Sequence, residues 1–296
     1  MRILVTGSAG LIGSAVHKKL SQEHEVITLG RRGNVDVLGD LAEPEKISKL
    51  HLPSIDALVH CAGVIDEDFV EDPHLAIKKA IFGADALVQC AVKAGATKLV
   101  YISSAHVYGP MCGSINERSL LNPIANYAIA HFATEQIFRR NAHAGISAVA
   151  LRPCAVFGDL ANLGTFRRWT LIPFSFPRDA VLNHNIIIRS TGEQLRNFVG
   201  SDDIAHCCSR WLNQDSVGWM GLNPMGGATI SVYEFAKVCA VLSEKITGKP
   251  CQITRNAPTG LDFGSDYSYQ SLSDITLGHQ SLQDTLERLM QALLKD

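Results

Sequence analysis

The sequence has no excess of either charge, no long apolar run and no paired-cysteine spacing. Lys and Arg total 27 against 29 Asp and Glu, a formal net charge of -2 at pH 7 over 296 residues. That balance provides no polybasic surface for nucleic acid or an anionic membrane, so neither is an expected partner. No apolar run approaches the ~18 residues of a spanning helix, and the opening Met1-Arg2-Ile3-Leu4-Val5-Thr6-Gly7 turns into glycine too early for a signal peptide. The eight cysteines, at 61, 90, 112, 154, 207, 208, 239 and 251, show no C-x-x-C spacing, and a chain of this length does not need disulfide staples. Reduced thiols in a cytoplasmic protein are the expectation. Internal repeats, low-complexity tracts and metal-spaced clusters of His, Cys and carboxylates are also missing from the sequence, so no metal is expected.

What the sequence does have is a rhythm. Short β-branched runs at 2–6, 25–29, 35–38, 57–61, 98–103 and 147–151 alternate with helix-spaced apolar residues. Leu11, Ile12, Ala15, Val16 and Leu20 keep that spacing, as do Leu75, Ile77, Ile81, Ala84, Leu87 and Val88, which predicts helices over 11–20 and 72–94. Strand and helix in alternation build βαβ units, and right-handed crossovers make them an α/β fold, a Rossmann-type doubly wound parallel sheet. After Arg152-Pro153 the pattern loosens. Residues 164–196, with Pro173 and Pro177, read as an insertion of mixed short strands. Helices are predicted over 202–213, over 231–243 with Ser231 as cap, and over 282–294. The expected organisation is a dinucleotide-binding domain at 1–165 plus about 198–224, and a smaller C-terminal α/β substrate-binding region at 166–197 plus 225–296.

Thr6-Gly7-Ser8-Ala9-Gly10-Leu11-Ile12-Gly13 stands where the first strand meets the first helix. Gly7 permits a tight turn, Gly10 lets a pyrophosphate approach the backbone, and Gly13 lets the helix pack closely on the strand. Ala9, Leu11 and Ile12 complete the expected cofactor cradle. At the end of the second strand, Thr28-Leu29-Gly30-Arg31-Arg32 offers no carboxylate for a ribose 2′-hydroxyl. Two guanidinium groups suit a 2′-phosphate, so NADP is expected ahead of NAD; the alternative is a pair of solvated loop arginines. Asp40 either accepts from the adenine amino group or caps a helix beginning near Pro44.

Further along come His60-Cys61-Ala62-Gly63, then Ser103-Ser104-Ala105-His106-Val107-Tyr108-Gly109, and 23 residues after Ser104, Tyr127-Ala128-Ile129-Ala130-His131. Leu151-Arg152-Pro153, Val156-Phe157-Gly158, Arg196-Asn197-Phe198-Val199 with Asp202-Asp203, and Leu277-Gly278 follow. In order and spacing, almost end to end, the chain resembles the extended short-chain dehydrogenase/reductases, the family of nucleotide-sugar epimerases, dehydratases and reductases. The resemblance implies that Ser104 and Tyr127 hold the substrate oxygen while hydride moves. It also implies that Leu41, Cys61, Ala62, Gly63, Ser103, Pro153 and Val156 line the cofactor, and that Arg196 contacts a nucleotide diphosphate.

The chain departs from the family pattern at two positions. Where the family carries a lysine one turn after the tyrosine, this chain has His131, and where it carries an asparagine, this chain has Ala80. A phenol with a free pKa near ~10 relays a proton only if nearby positive charge stabilises its phenolate, and imidazole is a shorter, pH-dependent substitute. His131 is thus read either as a working catalytic and cofactor-gripping group or as an incidental helix-surface histidine. The Asp-Glu pair of family 4,6-dehydratases is replaced by Ala105-His106, which disfavours dehydration. His106 either faces the substrate or ends a strand. Cys154 is read as a packing residue, since nothing nearby marks an activated thiolate. Arg167, Arg168 and Trp169 either close over a ligand or form a solvated basic turn beside a core tryptophan, and Asp202 and Asp203 cap a helix.

Three functions are expected in turn. The first is an NAD(P)-dependent reductase or epimerase acting on a nucleotide-activated sugar, with reduction slightly ahead. The second is a dinucleotide sensor with weakened catalysis, motivated by Ala80 and His131. The third is an NADPH-dependent reductase of a non-sugar ketone. Apolar residues on the 72–94 helix and on the helix carrying Tyr127, including Ile129, Phe132, Ile137 and Phe138, imply a homodimer by the same resemblance.

Overall fold

The computed structural model describes residues 1–143, 145–215, 217–257 and 264–295. Residues 144, 216, 258–263 and 296, which the expected domain boundaries include, lie outside them. The strands that position the site are β1 (Arg2–Thr6), β2 (Glu25–Gly30), β3 (Val37–Leu38), β4 (Ala57–His60), β5 (Lys98–Ile102), β6 (Ser147–Leu151), β7 (Ala155–Phe157), β8 (Leu195–Gly200), β9 (Trp219–Leu222) and β10 (Ala228–Ser231). The helices are α1 (Leu11–Leu20), α2 (Asp66–Glu71), α3 (Ala84–Lys93), α4 (Asn126–Asn141), α5 (Ile172–Asn183), α6 (Ser201–Leu212), α7 (Val232–Thr247) and α8 (Leu282–Leu293).

Seven strands pair in parallel in the order β9-β6-β5-β4-β1-β2-β3, the doubly wound arrangement that the alternation predicts. Strands covered on both faces must be apolar throughout. In β1, Ile3 and Val5 pack on one side with Val16 of α1 and Ile204, Cys208 and Trp211 of α6. Leu4, between them, packs on the other side with Leu87 and Val88 of α3 and Phe138 of α4. The strand order reverses between β1 and β4, and the crevice beyond their carboxyl ends is where a ligand fits in this architecture. A smaller sheet, β10-β8-β7, carries a separate core of Phe176, Phe198, Phe235 and Met290 from α5, β8, α7 and α8. Asp203 ties the α6 N-terminus to the chain before α8: its carboxylate accepts from the N–H groups of Gly200, His279 and Gln280 at 3.2, 2.7 and 2.9 Å. No helix among the described residues is long and apolar enough to cross a membrane.

Four local expectations are corrected. The strand expected at 35–38 shortens to Val37–Leu38 because the Asp36 carboxylate accepts from both the N–H and the hydroxyl of Thr28, at 2.8 and 2.7 Å, in place of ladder pairing. The helix expected over 72–94 is interrupted by a π-helical turn, Lys78–Gly83, between a short helix at Pro73–Ile77 and α3. The hydroxyl of Thr134 on α4 donates to the carbonyl of Ala80 at 2.7 Å, a contact from another helix that holds the bulge open. The insertion at 164–196 contains α5 despite its prolines. Pro173 lies in the first turn, where no donor is needed, and the buried face Phe174, Phe176, Ala180 and Val181 outweighs the donor missing at Pro177. Finally, Asp40 does not cap the Pro44–Ile47 turn, whose N-cap is Glu43; its Oδ1 accepts from the N–H of Ala42 at 2.9 Å.

Candidate active site

One cleft of about 800 Å³ runs from the β1–α1 turn, past the ends of β4 and β5, to α4 and the segment 160–173. It brings together the sequence-predicted residues Gly7, Ala9, Gly10, Leu11, Ile12 and Gly13 with Arg31 and Arg32. Asp40, Leu41, Cys61, Ala62, Gly63, Ser103, Ser104, His106, Tyr127, His131, Pro153, Val156 and Arg196 line the same space. The glycine turn is shaped as a cradle. Gly7 sits at φ +71°, where a Cβ would meet the backbone of Ala62 at 2.8 Å, and a Cβ on Gly13 would lie 1.9 Å from the carbonyl oxygen of Gly7. The first turn of α1 has no side-chain cap, which leaves its N–H groups for an anion. These residues therefore fit a dinucleotide pyrophosphate. Among the described residues no cluster of His, Cys, Asp and Glu could hold a metal ion.

At the far end of the cleft, Ser104 Oγ lies 3.1 Å from His106 Nδ1, and the exposed His106 ring meets the Tyr127 ring edge-on at 5.9 Å. Tyr127 is half-buried, its ring 4.4 Å from that of His131. His131 is not a surface residue: it is 3% exposed, and its Nδ1 lies 2.6 Å from Tyr101 Oη. Its Nε2 is buried without a hydrogen-bond partner among the described residues. Burial, reinforced by the positive charge of Arg168, pushes its pKa down to about 3. At neutral pH the side chain is therefore an uncharged imidazole, without the positive charge that the family's lysine would bring. Ala80 is also buried, with its carbonyl given to Thr134.

His60, at the end of β4, shares this chemistry. Its Nδ1 lies 2.7 Å from Thr6 Oγ1, its ring stacks on Tyr101 and Phe138, and burial pushes its pKa down to about 4. Both histidines are neutral when folded, whereas in an unfolded chain they protonate near 6.5. Between those values the unfolded state binds more protons, so stability present above pH 6.5 is lost as pH falls, by about 1.4 kcal/mol per pH unit for each histidine. Denaturant midpoints are expected to drop steadily from pH 7 to pH 5. A flat profile would mean that these rings are already charged in the fold.

Beneath the cleft lies a network that the sequence reading missed. Glu135, fully buried on α4, holds Arg152 through Nε and Nη2 at 3.0 and 2.7 Å and accepts the Ser103 hydroxyl at 2.6 Å. Arg152 Nη1 donates to Tyr108 Oη at 2.9 Å, and Tyr108 donates to Asn223 at 2.8 Å. Burial alone would lower the Arg152 pKa; the Glu135 hydrogen bonds and charge reverse this and raise it. The Ser103 hydroxyl thus anchors the end of β5, while the residue still lines the cleft. The signal was in the sequence: Tyr127, His131 and Glu135 recur every four residues, one inward stripe of α4.

Cys61 and Cys154 line the cleft with protonated thiols, Cys61 pushed up to about 12 by burial and Cys154 raised by burial beside Tyr267 Oη at 3.4 Å. All eight cysteines are free. Arg196 extends toward the cleft with its guanidinium 6.0 Å from the Tyr267 ring. Arg167, which is exposed, and Arg168, which is half-buried, are both held by carboxylates. Arg167 pairs with Asp68 at 3.1 Å and Glu71 at 2.7 Å, Arg168 pairs with Asp66 at 3.0 Å, and Thr170 Oγ1 donates to Glu67 at 3.0 Å. Segment 166–171 is thereby strapped to α2 across the cleft. Trp169 is half-buried against Phe166 and the Arg178 guanidinium rather than in the core. On the outer helices, Ile137 and Phe138 belong to the chain's own core and Phe132 is half-buried, so only Ile129 of the four expected interface residues is exposed.

A family model, "NAD dependent epimerase/dehydratase family", matches residues 3–220. The putative UDP-glucose 4-epimerase of Methanocaldococcus jannaschii is 28% identical over 227 residues, 71% of this chain and 73% of its own. Among solved structures, MoeE5 in complex with UDP-glucose and NAD superposes with a TM-score of 0.78 at 22% identity, covering 100% of this chain and 99% of that one. RMD from Pseudomonas aeruginosa complexed with NADPH superposes with a TM-score of 0.79 at 19% identity, covering 99% of each chain.

Proposed function

This chain belongs to the NAD-dependent epimerase/dehydratase family of extended short-chain dehydrogenase/reductases, and from that premise we propose that it is an oxidoreductase acting on a nucleotide-activated sugar with NADP as preferred cofactor. The observation that carries the reading is that Ser104, Tyr127 and Arg196 line the same cleft as the glycine cradle. A nicotinamide ring bound there supplies a carbon that gives or takes hydride. The chain's own groups do the rest. Ser104 Oγ fixes the substrate oxygen, Tyr127 Oη transfers a proton to or from it, and Arg196 pairs with the diphosphate through its forked guanidinium. The cradle holds the pyrophosphate at the α1 N-terminus.

Two features support NADP. Arg31 and Arg32 stand exposed on the cleft wall after β2, and the nearby Asp36 carboxylate is turned back onto Thr28. Reduction is favoured over epimerisation, because a net reduction requires an exchangeable reduced cofactor and a 2′-phosphate site suits NADPH. The helices outside the cleft leave Leu75, Ile77, Phe82 and Ile129 exposed, and the proposal includes a homodimer through this face. A second reading, a dinucleotide sensor with weak turnover, is favoured by the uncharged His131.

Fluorescence titration of the purified protein with NADPH and with NADH is the test. The expected result is at least about tenfold tighter binding of NADPH, the effect of one or two phosphate–guanidinium hydrogen bonds. Tighter NADH binding would return Arg31 and Arg32 to the surface and favour an epimerase. Tight NADPH binding without turnover of any nucleotide sugar would leave the sensor.

A further inference from the structure

The site contains a proton-transferring phenol beside a histidine that carries no charge, and this raises the question of which group faces the phenolate. Lys79, Arg31, Arg32, Arg167, Arg168 and Arg196 all line the cleft. Among the described residues, only Arg168 has its cation over the Tyr127 ring, with Cζ 5.4 Å from the centroid. It reaches there from outside α4, on the strap between β7 and α5. Asp66 holds its Nη2 at 3.0 Å, and Glu67 lies 3.9 Å from its Nε.

We propose that Arg168 is the positively charged partner of Tyr127, stabilising its ionised form across the cleft in place of the lysine that the family carries at position 131. The idea rests on the reading of Tyr127 as the proton-transfer group. When the phenol gives its proton to the substrate oxygen, the O–H bonding pair stays on Oη, and the guanidinium over the ring faces the negative charge that results. Arg168 also depresses the pKa values of His131 and His106, the two imidazoles in edge contact with the Tyr127 ring, so its charge is felt around that ring. The other groups beside Tyr127 are the His106 and His131 rings, at 5.9 and 4.4 Å, and the Tyr101 phenol, whose pKa Tyr127 helps to raise. Arg196 and Asp66 act on His106, Arg196 lowering its pKa and Asp66 raising it.

At an effective dielectric constant near 20, a unit charge at about 6 Å changes an ionisation equilibrium on the order of 100-fold. Solvent at the partly exposed guanidinium screens part of that, leaving an expected effect of about tenfold. Arg168 is 24% exposed at its side chain, on a surface segment, so its substitution spares the core.

The experiment uses N-acetylimidazole, which acylates tyrosine through the phenolate, on the cofactor-free protein at fixed pH, with each site followed by peptide mass. Tyr127 and Tyr233 are the two tyrosines that are not buried, so Tyr233 is the internal standard. In Arg168→Gln, acetylation of Tyr127 is expected to slow about tenfold relative to Tyr233, and Arg168→Lys is expected to retain most of the wild-type rate. In turnover with NADPH, Arg168→Gln should lower kcat more than it raises the KM of the cofactor. Unchanged or faster acetylation in Arg168→Gln would overturn the proposal, since removal of a mere shield exposes the ring. A slowed Tyr127 in Arg168→Gln together with no turnover of any nucleotide sugar by the wild type would uphold the charge pairing and sink the proposed function instead.

Discussion

Replacing Tyr127 by phenylalanine is expected to lower kcat by about 10²- to 10⁴-fold, the usual range for loss of a positioned proton donor. The substitution removes one oxygen and leaves the ring contacts with His106 and His131, at 5.9 and 4.4 Å, in place. The glycine cradle at the other end of the cleft is untouched, so the Kd for NADPH should change by less than about threefold, under 1 kcal/mol. Single-turnover absorbance of NADPH at saturating substrate separates the two effects. Retention of the wild-type rate would move proton transfer to another group, with His106, 3.1 Å from Ser104 Oγ, first in line.

Removing Glu135 should produce the largest loss of stability. Glu135→Ala leaves the Arg152 guanidinium, 4% exposed, without its carboxylate, and breaking a buried pair from one side costs about 3–5 kcal/mol. The Ser103 hydroxyl loses its acceptor as well. The denaturation midpoint is the measurement, and Glu135→Gln should recover part of the loss by keeping an acceptor for Arg152 and Ser103. The double variant Glu135→Met with Arg152→Met should be closer to wild type than either single change, because no charge is then left stranded. Equal midpoints for wild type and Glu135→Ala would show that water reaches Arg152 in the folded protein. Because Ser103 precedes Ser104, the single variant is also expected to disturb the serine proposed to hold the substrate oxygen.

The parts of the fold legible in the sequence were those set by local rules. Strands buried on both faces appear as unbroken apolar runs, and β1 and β6 were located to the residue. The glycine turn was legible because its constraints are backbone constraints, fulfilled by Gly7 and Gly13. What escaped depended on partners distant in sequence. The π turn depends on Thr134, 54 residues after Ala80, and the neutral state of His131 depends on burial against Tyr101, 30 residues before it. The sequence leaves Arg168 open between closing over a ligand and forming a solvated basic turn, since nothing local indicates that Asp66, 102 residues earlier, holds it over the site.

The strap itself has a kinetic meaning. Its ties from Arg167, Arg168 and Thr170 to α2 lie at the surface, where such pairs contribute about 0–1 kcal/mol each and weaken with salt. Ties of this strength are expected to loosen as ionic strength rises, so the release rate of a bound nucleotide should increase with salt. Ionic strength therefore sets how long a bound molecule is confined. Because Arg168 is on the strap, a proton transfer that depends on it, as proposed, is expected to weaken with the same salt that loosens the ties.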